Sequence, residues 1–253
     1  MRKIYVIGLG SGNPDHMTIQ AIKALNEVDV FFMVDKGAAA GELIDVREDI
    51  CRRFIEDPDY RIVRARNPVR DARSADYRHG VEEWHRARAA VSEGLIRDEL
   101  GPDECGAFLV WGDPALYDST IRILHHVLAQ GRVSFDYEVI PGISSVQALA
   151  AAHKIPLNDI GEAVHITTGR KLAQGRAGDA DSIVVMLDGE NSFKSAPARD
   201  SHIYWGAYVG MPDETIIAGP VEEVKDRIEE VRRTLREKKG WIMDIYLLKR
   251  GGA

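Results

Sequence analysis

The stretch Lys3-Ile4-Tyr5-Val6-Ile7-Gly8-Leu9-Gly10-Ser11-Gly12-Asn13-Pro14-Asp15 decides how this chain is read. Lys3 to Ile7 form an apolar run of strand length, and Gly8 cuts it off. Glycines placed straight after a strand let the backbone turn sharply and approach another group closely. Asp15 is positioned to cap the helix that follows, Thr18 to Val28, whose apolar positions Ile19, Ile22 and Leu25 share one stripe. The turn is not the dinucleotide fingerprint GxGxxG, because its third glycine comes one residue early and Asn13-Pro14 follow. Asp35, closing the second strand, does stand where a ribose-binding acid would be expected. A non-catalytic dinucleotide-binding module therefore stays open, as does a plain structural turn.

Outward from that stretch, strand-length apolar runs alternate with segments of helical period. Strands are expected over Val28 to Val34, Tyr60 to Ala65, Ala107 to Trp111 and Phe135 to Ile140. Helices are expected over Glu42 to Ile55, Asp71 to Leu100, Leu116 to Ala129 and Ser144 to His153. Continuous apolar strands alternating with helices imply a mostly parallel sheet covered on both faces. Ile155-Pro156-Leu157-Asn158 breaks this pattern. Strands then follow one another at Val164–Thr168, Ile183–Leu187, Ile203–Trp205 and Thr215–Ala218, with little helix before Val221–Lys238 and a last strand at Met243–Leu248. The expected organisation is an α/β domain over 1–155 and a second α/β domain over 156–253 with a mixed sheet containing antiparallel pairs.

Composition narrows the function. The 33 basic residues fall short of the 40 acidic ones, a net charge of −7, which argues against a general nucleic-acid binder. Cys51 and Cys105 have no CxxC or CxxH spacing, so neither a disulfide framework nor a zinc site is expected. The first apolar run is too short for a signal peptide, and no run reaches the roughly 18 apolar residues of a membrane span. A cytoplasmic protein without a membrane partner is the expectation. The eight histidines form no HxxxH pair, and His125-His126 reads as structural.

Two further turns fall at expected strand ends. Trp111-Gly112-Asp113-Pro114-Ala115-Leu116-Tyr117 follows the fourth strand, and Pro114 sits near the start of the next helix. Ile140-Pro141-Gly142-Ile143-Ser144-Ser145 follows the fifth, with Ser144 or Ser145 as N-cap. Each is sufficient as structure alone. All three turns lie at the carboxyl ends of strands of one sheet, where open parallel sheets bind ligands.

The trio GxGxGxPD, GDPxxY and PGxSS, in this order and spacing, resembles the tetrapyrrole methylases over essentially the whole chain. That resemblance implies two α/β domains, an active site in the trough between them, and S-adenosyl-L-methionine bound in a folded conformation, leaving S-adenosyl-L-homocysteine. A closer likeness to one branch lies in Phe31 to Gly37, Val110 to Thr120, Met186 to Glu190, Ile203 to Tyr208 and Gly240 to Asp244. That branch methylates ring carbon one of precorrin-5 and releases the extruded acetyl unit as acetate. Its members, like most of the family, are implied to be homodimers. Trp111 replaces the small residue usual before the GDP, which narrows the site. Another precorrin or uroporphyrinogen methylase of the same fold is the alternative.

Carried over by resemblance, the cofactor contacts are Gly10, Pro14, Trp111, Gly112, Asp113, Leu116, Tyr117, Ser144 and Ser145. Met186, Leu187, Tyr208, Val209, Met243 and Asp244 join them from the second domain. Methyl transfer from a sulfonium needs placement and no metal. Acetate release needs water to add to a carbonyl, so a base or polarising donor is sought among the polar groups near strand ends: Asp35, Lys36, Asp113, Tyr117 and Asp118. Asp35 and Tyr117 are the catalytic candidates. Arg61, Arg64, Arg66, Arg70 and Arg73 are candidates to face substrate carboxylates, or else form a solvated surface.

Overall fold

The computed structural model describes residues 1–35, 41–69, 77–178, 180–194 and 200–250; at 35, 41, 42, 77–79 and 81 it describes the backbone alone. The chain divides into two compact units, Met1–Gly10 with Pro14–Ile143, and Ser11–Asn13 with Ser144–Ala253.

The first unit is built on β1 (Lys3–Gly8), β2 (Val30–Asp35), β3 (Arg61–Arg66), β4 (Cys105–Val110) and β5 (Asp136–Ile140). They form an all-parallel sheet in the order β3-β2-β4-β1-β5. Successive side chains of a strand point to opposite faces, so an apolar run feeds two cores. Ile4, Val6, Phe32, Phe108 and Val110 pack on one face with α3 (Tyr77–Glu99) and α4 (Thr120–Gln130). Tyr5, Ile7, Phe31, Met33, Ala107 and Leu109 pack on the other with α1 (Ile19–Leu25) and α2 (Gly41–Phe54). Burial on both faces is why β1, β2 and β4 read as continuous rather than alternating.

The second unit contains α5 (Ser145–His153), β6 (Val164–Thr168), α6 (Gly169–Ala173), β7 (Ser182–Met186), β8 (Ser201–Ala207), β9 (Thr215–Pro220), α7 (Val221–Lys239) and β10 (Asp244–Arg250). Its sheet runs β6-β7-β10-β8-β9, with β6 and β7 parallel and the other pairs antiparallel. Helix α5 packs on β8, β9 and β10. The division between the units accordingly falls at 143/144 rather than near 155. Lys154, left-handed at φ 57°, ends α5 ahead of Pro156, but the packing of that helix decides which core it joins.

Two local expectations are corrected, and one short helix is added. Asp15 does not cap α1: Pro14–His16 form a 3-10 turn, and the Thr18 hydroxyl accepts the Ala21 N–H at 3.0 Å instead. Helix α4 begins at Thr120, not Leu116, because Tyr117 is left-handed (φ 53°) and no right-handed helix passes through it. The Asp118 carboxylate then accepts the Thr120 N–H at 2.6 Å. Helix α6 was not expected, being only 5 residues long and too short for a periodic signal. The start of the long helix over 71–76, Lys36-Gly37 and the tail 251–253 lie outside the described residues.

Candidate active site

The order β4-β1-β5 brings the three glycine turns together as neighbours at the carboxyl end of the sheet. Gly10 and Gly112 form a two-way backbone bridge: Gly10 N–H donates to Gly112 O at 3.2 Å, and Gly112 N–H to Gly10 O at 2.8 Å. Both glycines are left-handed, with φ of 79° and 68°. A Cβ on Gly8 would lie 2.6 Å from Gly142 N and 2.9 Å from Gly112 O, so backbone packs on backbone with no space for a side chain.

Asp113 locks this arrangement. One carboxylate oxygen accepts the Ala115 N–H at 2.8 Å within its own turn, and the other accepts the Gly142 N–H at 3.0 Å in the turn after β5. Its carboxylate therefore shapes the cradle. Leu116 N–H closes on Asp113 O at 3.2 Å, and Trp111 is half-buried just before the turn. Pro14 opens the 3-10 turn after β1. Tyr117 is 46% exposed, and loss of solvent around its hydroxyl pushes the phenol pKa up, so it keeps its proton at neutral pH.

In the second unit, β10 runs antiparallel between β7 and β8, so its start lies beside both their ends. Ile245 faces Met186 and Asp244 faces Ala207, which gathers Met186, Leu187, Tyr208, Val209, Met243 and Asp244 at one end of the sheet. Tyr208 N–H donates to Met243 O at 2.9 Å. Leu187 (φ 54°) and Tyr208 (φ 49°) are both left-handed. Such conformations cost about 1–3 kcal/mol in a residue with a side chain and gather at sites where the fold holds a group in place. Leu187 is 67% exposed, whereas Tyr208 is buried with its hydroxyl donating to Trp241 O at 2.6 Å.

Sequence reasoning missed the buried polar network behind this end. Arg232 Nε donates to Asp244 at 2.9 Å, Trp205 Nε1 donates to the same carboxylate at 3.1 Å, and Arg232 Nη2 reaches Asp188 O at 2.7 Å. The Asp188 carboxylate accepts from Tyr246 O–H at 2.6 Å, Ser192 N–H at 2.7 Å and Ser192 O–H at 2.9 Å. Burial pushes the Asp244 carboxyl pKa up and the Tyr246 phenol well up, with Arg232 opposing the first shift. Asp188 and Trp205 do lie in stretches singled out above, but nothing local marks them as buried partners.

Ser144 is the N-cap of α5: its Oγ accepts the Val146 N–H at 3.1 Å, and Gln147 completes a capping box. Its hydroxyl belongs to the helix. Ser145 opens the first turn, half-buried, with no hydrogen-bond partner for its hydroxyl among the described residues. The Asp35 backbone pairs with Arg66 at the end of β2, and its side chain lies outside the described residues. Among the described residues, the arginine candidates Arg61, Arg64 and Arg66 do not share one set of partners. Arg61, first in β3, pairs with Glu104 at 2.8 Å at the amino end, Arg64 pairs with Glu48, and Arg66 is exposed. Arg70 and Arg73 lie outside the described residues.

Adjacent glycine turns at the carboxyl ends of a parallel sheet stand where open α/β folds bind their ligands. The family model for Tetrapyrrole (Corrin/Porphyrin) Methylases matches residues 3–225, and the chain belongs to that family. It is 54% identical over 251 residues to the precorrin-6A synthase (deacetylating) of Sinorhizobium sp, covering 99% of this chain and 96% of that one. Among solved structures, a cobalamin synthesis related protein (CobF) of Corynebacterium diphtheriae matches with TM-score 0.83 and 37% identity over 99% of each chain. The uroporphyrin-III C-methyl transferase of Thermus thermophilus complexed with S-adenosylhomocysteine shares the fold, with TM-score 0.61 and 18% identity over 98% of this chain and 92% of that one.

Proposed function

We propose that this chain transfers a methyl group from S-adenosyl-L-methionine to ring carbon one of precorrin-5 and releases the extruded acetyl unit as acetate, giving precorrin-6A. The likeness along the whole chain to the Sinorhizobium enzyme carries the choice of substrate. A cytoplasmic homodimer working on a small tetrapyrrole, with no nucleic-acid or membrane partner, is part of the same reading. Two free cysteines support a reducing compartment.

The residues present suit the cofactor. In the first unit the glycine turns offer backbone where side chains would obstruct. In the second, Leu187 offers exposed apolar surface and Ser145 an uncommitted hydroxyl. When bound, S-adenosylmethionine supplies an electrophilic methyl group on a positively charged sulfur. The chain's part in that half is placement and exclusion of water, and Trp111 narrows the approach. In the other half, water adds to the acetyl carbonyl and the bond from acetyl carbon to macrocycle breaks. That cleavage leaves an electron pair on the macrocycle, and methyl transfer consumes one, so the halves balance. Tyr117, protonated at neutral pH, is suited to donate to the acetyl oxygen. Asp35 is assigned to take the proton from water.

The test is incubation with precorrin-5 and S-adenosylmethionine, measuring methyl incorporation and acetate in one sample. Equal amounts of both are expected. Asp35→Asn is expected to slow both together while leaving S-adenosylhomocysteine affinity unchanged. No turnover of precorrin-5, with turnover of another precorrin or of uroporphyrinogen, would move the assignment within the family. Binding of NAD in place of S-adenosylhomocysteine would overturn it.

A further inference from the structure

Strand β2 pairs with β4 only from Val30↔Gly106 to Phe32↔Phe108, yet it continues beside β3 to Asp35. The seam between β2 and β4 therefore opens toward the carboxyl end of the sheet. On the β1 side of β4, Val110 O accepts Leu9 N–H at 2.9 Å. On the opened side, Leu109 O has no strand partner, and the Arg47 guanidinium takes it: Nε donates at 3.1 Å, while Nη1 donates to Leu43 O at 2.8 Å. A second guanidinium reaches the loop after β4 from the opposite face of the sheet. Arg88 of α3 donates Nη1 to Ser119 Oγ at 2.7 Å, with its Cζ lying 5.0 Å from the centre of the Trp84 ring, which holds its plane.

Both arginines are half-buried. Asp118 is the carboxylate they share electrostatically, but neither closes an ion pair with it among the described residues, and it already accepts the Thr120 N–H. Burial pushes both guanidinium pKa values down, and Asp118 offsets this only in part. His85 feels the same field: burial, Arg88, Arg122 and His126 all hold it toward its neutral form. Arg47 Nη2 and Arg88 Nε and Nη2 have no acceptor among the described residues. A desolvated positive site with unused planar donors calls for an anion, and a guanidinium fork matches a carboxylate.

We propose that Arg47 and Arg88 form a carboxylate-binding subsite at the opened β2–β4 seam, which holds a side-chain carboxylate of the tetrapyrrole substrate and orients the macrocycle over the loop carrying Tyr117. The proposal rests on the substrate assignment above. These arginines replace Arg61 and Arg64, whose partners are carboxylates of the protein itself. A single basic residue on an amphipathic helix carries no local signal, so only the fold reveals the pair.

The test uses two readouts. Uroporphyrin III, a stable polycarboxylate tetrapyrrole, is titrated by fluorescence into the protein, and S-adenosylhomocysteine affinity is measured by calorimetry. Arg88→Gln should weaken uroporphyrin binding about tenfold or more, the size of one hydrogen bond to a charged group, with S-adenosylhomocysteine affinity within about twofold. Arg88→Lys should recover part of the loss, since it restores the charge without the fork. With precorrin-5, Arg88→Gln should raise KM by a similar factor. Should Arg88→Gln fail to fold, Arg88→Lys and Arg47→Lys carry the test and must each weaken uroporphyrin binding at unchanged S-adenosylhomocysteine affinity. Unchanged uroporphyrin affinity in the folded variants, or parallel loss of both ligands, overturns the subsite. Wild-type protein that binds uroporphyrin but does not turn over precorrin-5 overturns the substrate assignment alone.

Discussion

Gly142 sits where a single methyl group matters. A Cβ there would collide with Gly112 O and lie 2.9 Å from Gly8 Cα, all of it backbone that no rotamer change can relieve. Gly142→Ala is expected to cost about 1–3 kcal/mol by overpacking and to weaken S-adenosylhomocysteine binding, read by thermal unfolding and calorimetry. Gly189→Ala is the control, because nothing lies within 4 Å of its added Cβ and its φ is not left-handed. It should unfold like the wild type. Local reading located Gly10, Gly112 and Gly142 because a glycine after an apolar strand is a signal in itself. It could not find the left-handed Tyr117, Leu187 and Tyr208, since nothing in a tyrosine or leucine announces a positive φ.

At the level of elements, α5 separates two serines that sequence treats alike. Ser144→Ala removes the side-chain cap and should destabilise the protein by about 1 kcal/mol. Ser145→Ala removes no hydrogen bond described in the fold, so its thermal unfolding should match the wild type while S-adenosylhomocysteine affinity falls. Calorimetric and melting measurements on both variants distinguish the roles, and equal affinity for Ser145→Ala would remove it from the site. The start of β10 poses a similar contrast. Asp244 was assigned to the cofactor by resemblance, yet its carboxylate is engaged by Arg232 and Trp205 inside the fold. Asp244→Asn leaves the Arg232 charge without a counter-ion where its side chain is only 9% exposed, and should cost about 3 kcal/mol, measured by denaturant unfolding. A stable variant that has lost only cofactor affinity would reverse that reading.

For the molecule as a whole, acidity is a shared load on both units. Burial holds His153 of α5 below the ordinary imidazole value of 6.5, and burial together with Arg88, Arg122 and His126 does the same for His85 of α3. As pH falls through 6.5, the unfolded chain takes up protons that the folded one refuses, so stability falls. Unfolding midpoints should therefore drop between about pH 7.5 and 5.5. His85→Asn and His153→Asn should each flatten that slope, and a slope unchanged in the double variant would show that other groups set it.

By itself the sequence determined the strand-and-helix alternation, the parallel first sheet, the mixed second sheet and the three glycine turns. Each of these is written locally, in the period of apolar residues or in the conformational freedom of glycine, and survives any change in distant packing. Only the tertiary structure decided the rest. The order β3-β2-β4-β1-β5 makes the three turns neighbours, and the early end of the β2–β4 pairing opens the seam that Arg47 enters. Contact with β8, β9 and β10 assigns α5 to the second core, and folding brings Asp244 into an ion pair with Arg232. These outcomes depend on residues far apart in the chain, which share space only after folding and leave no mark on the spacing of either partner.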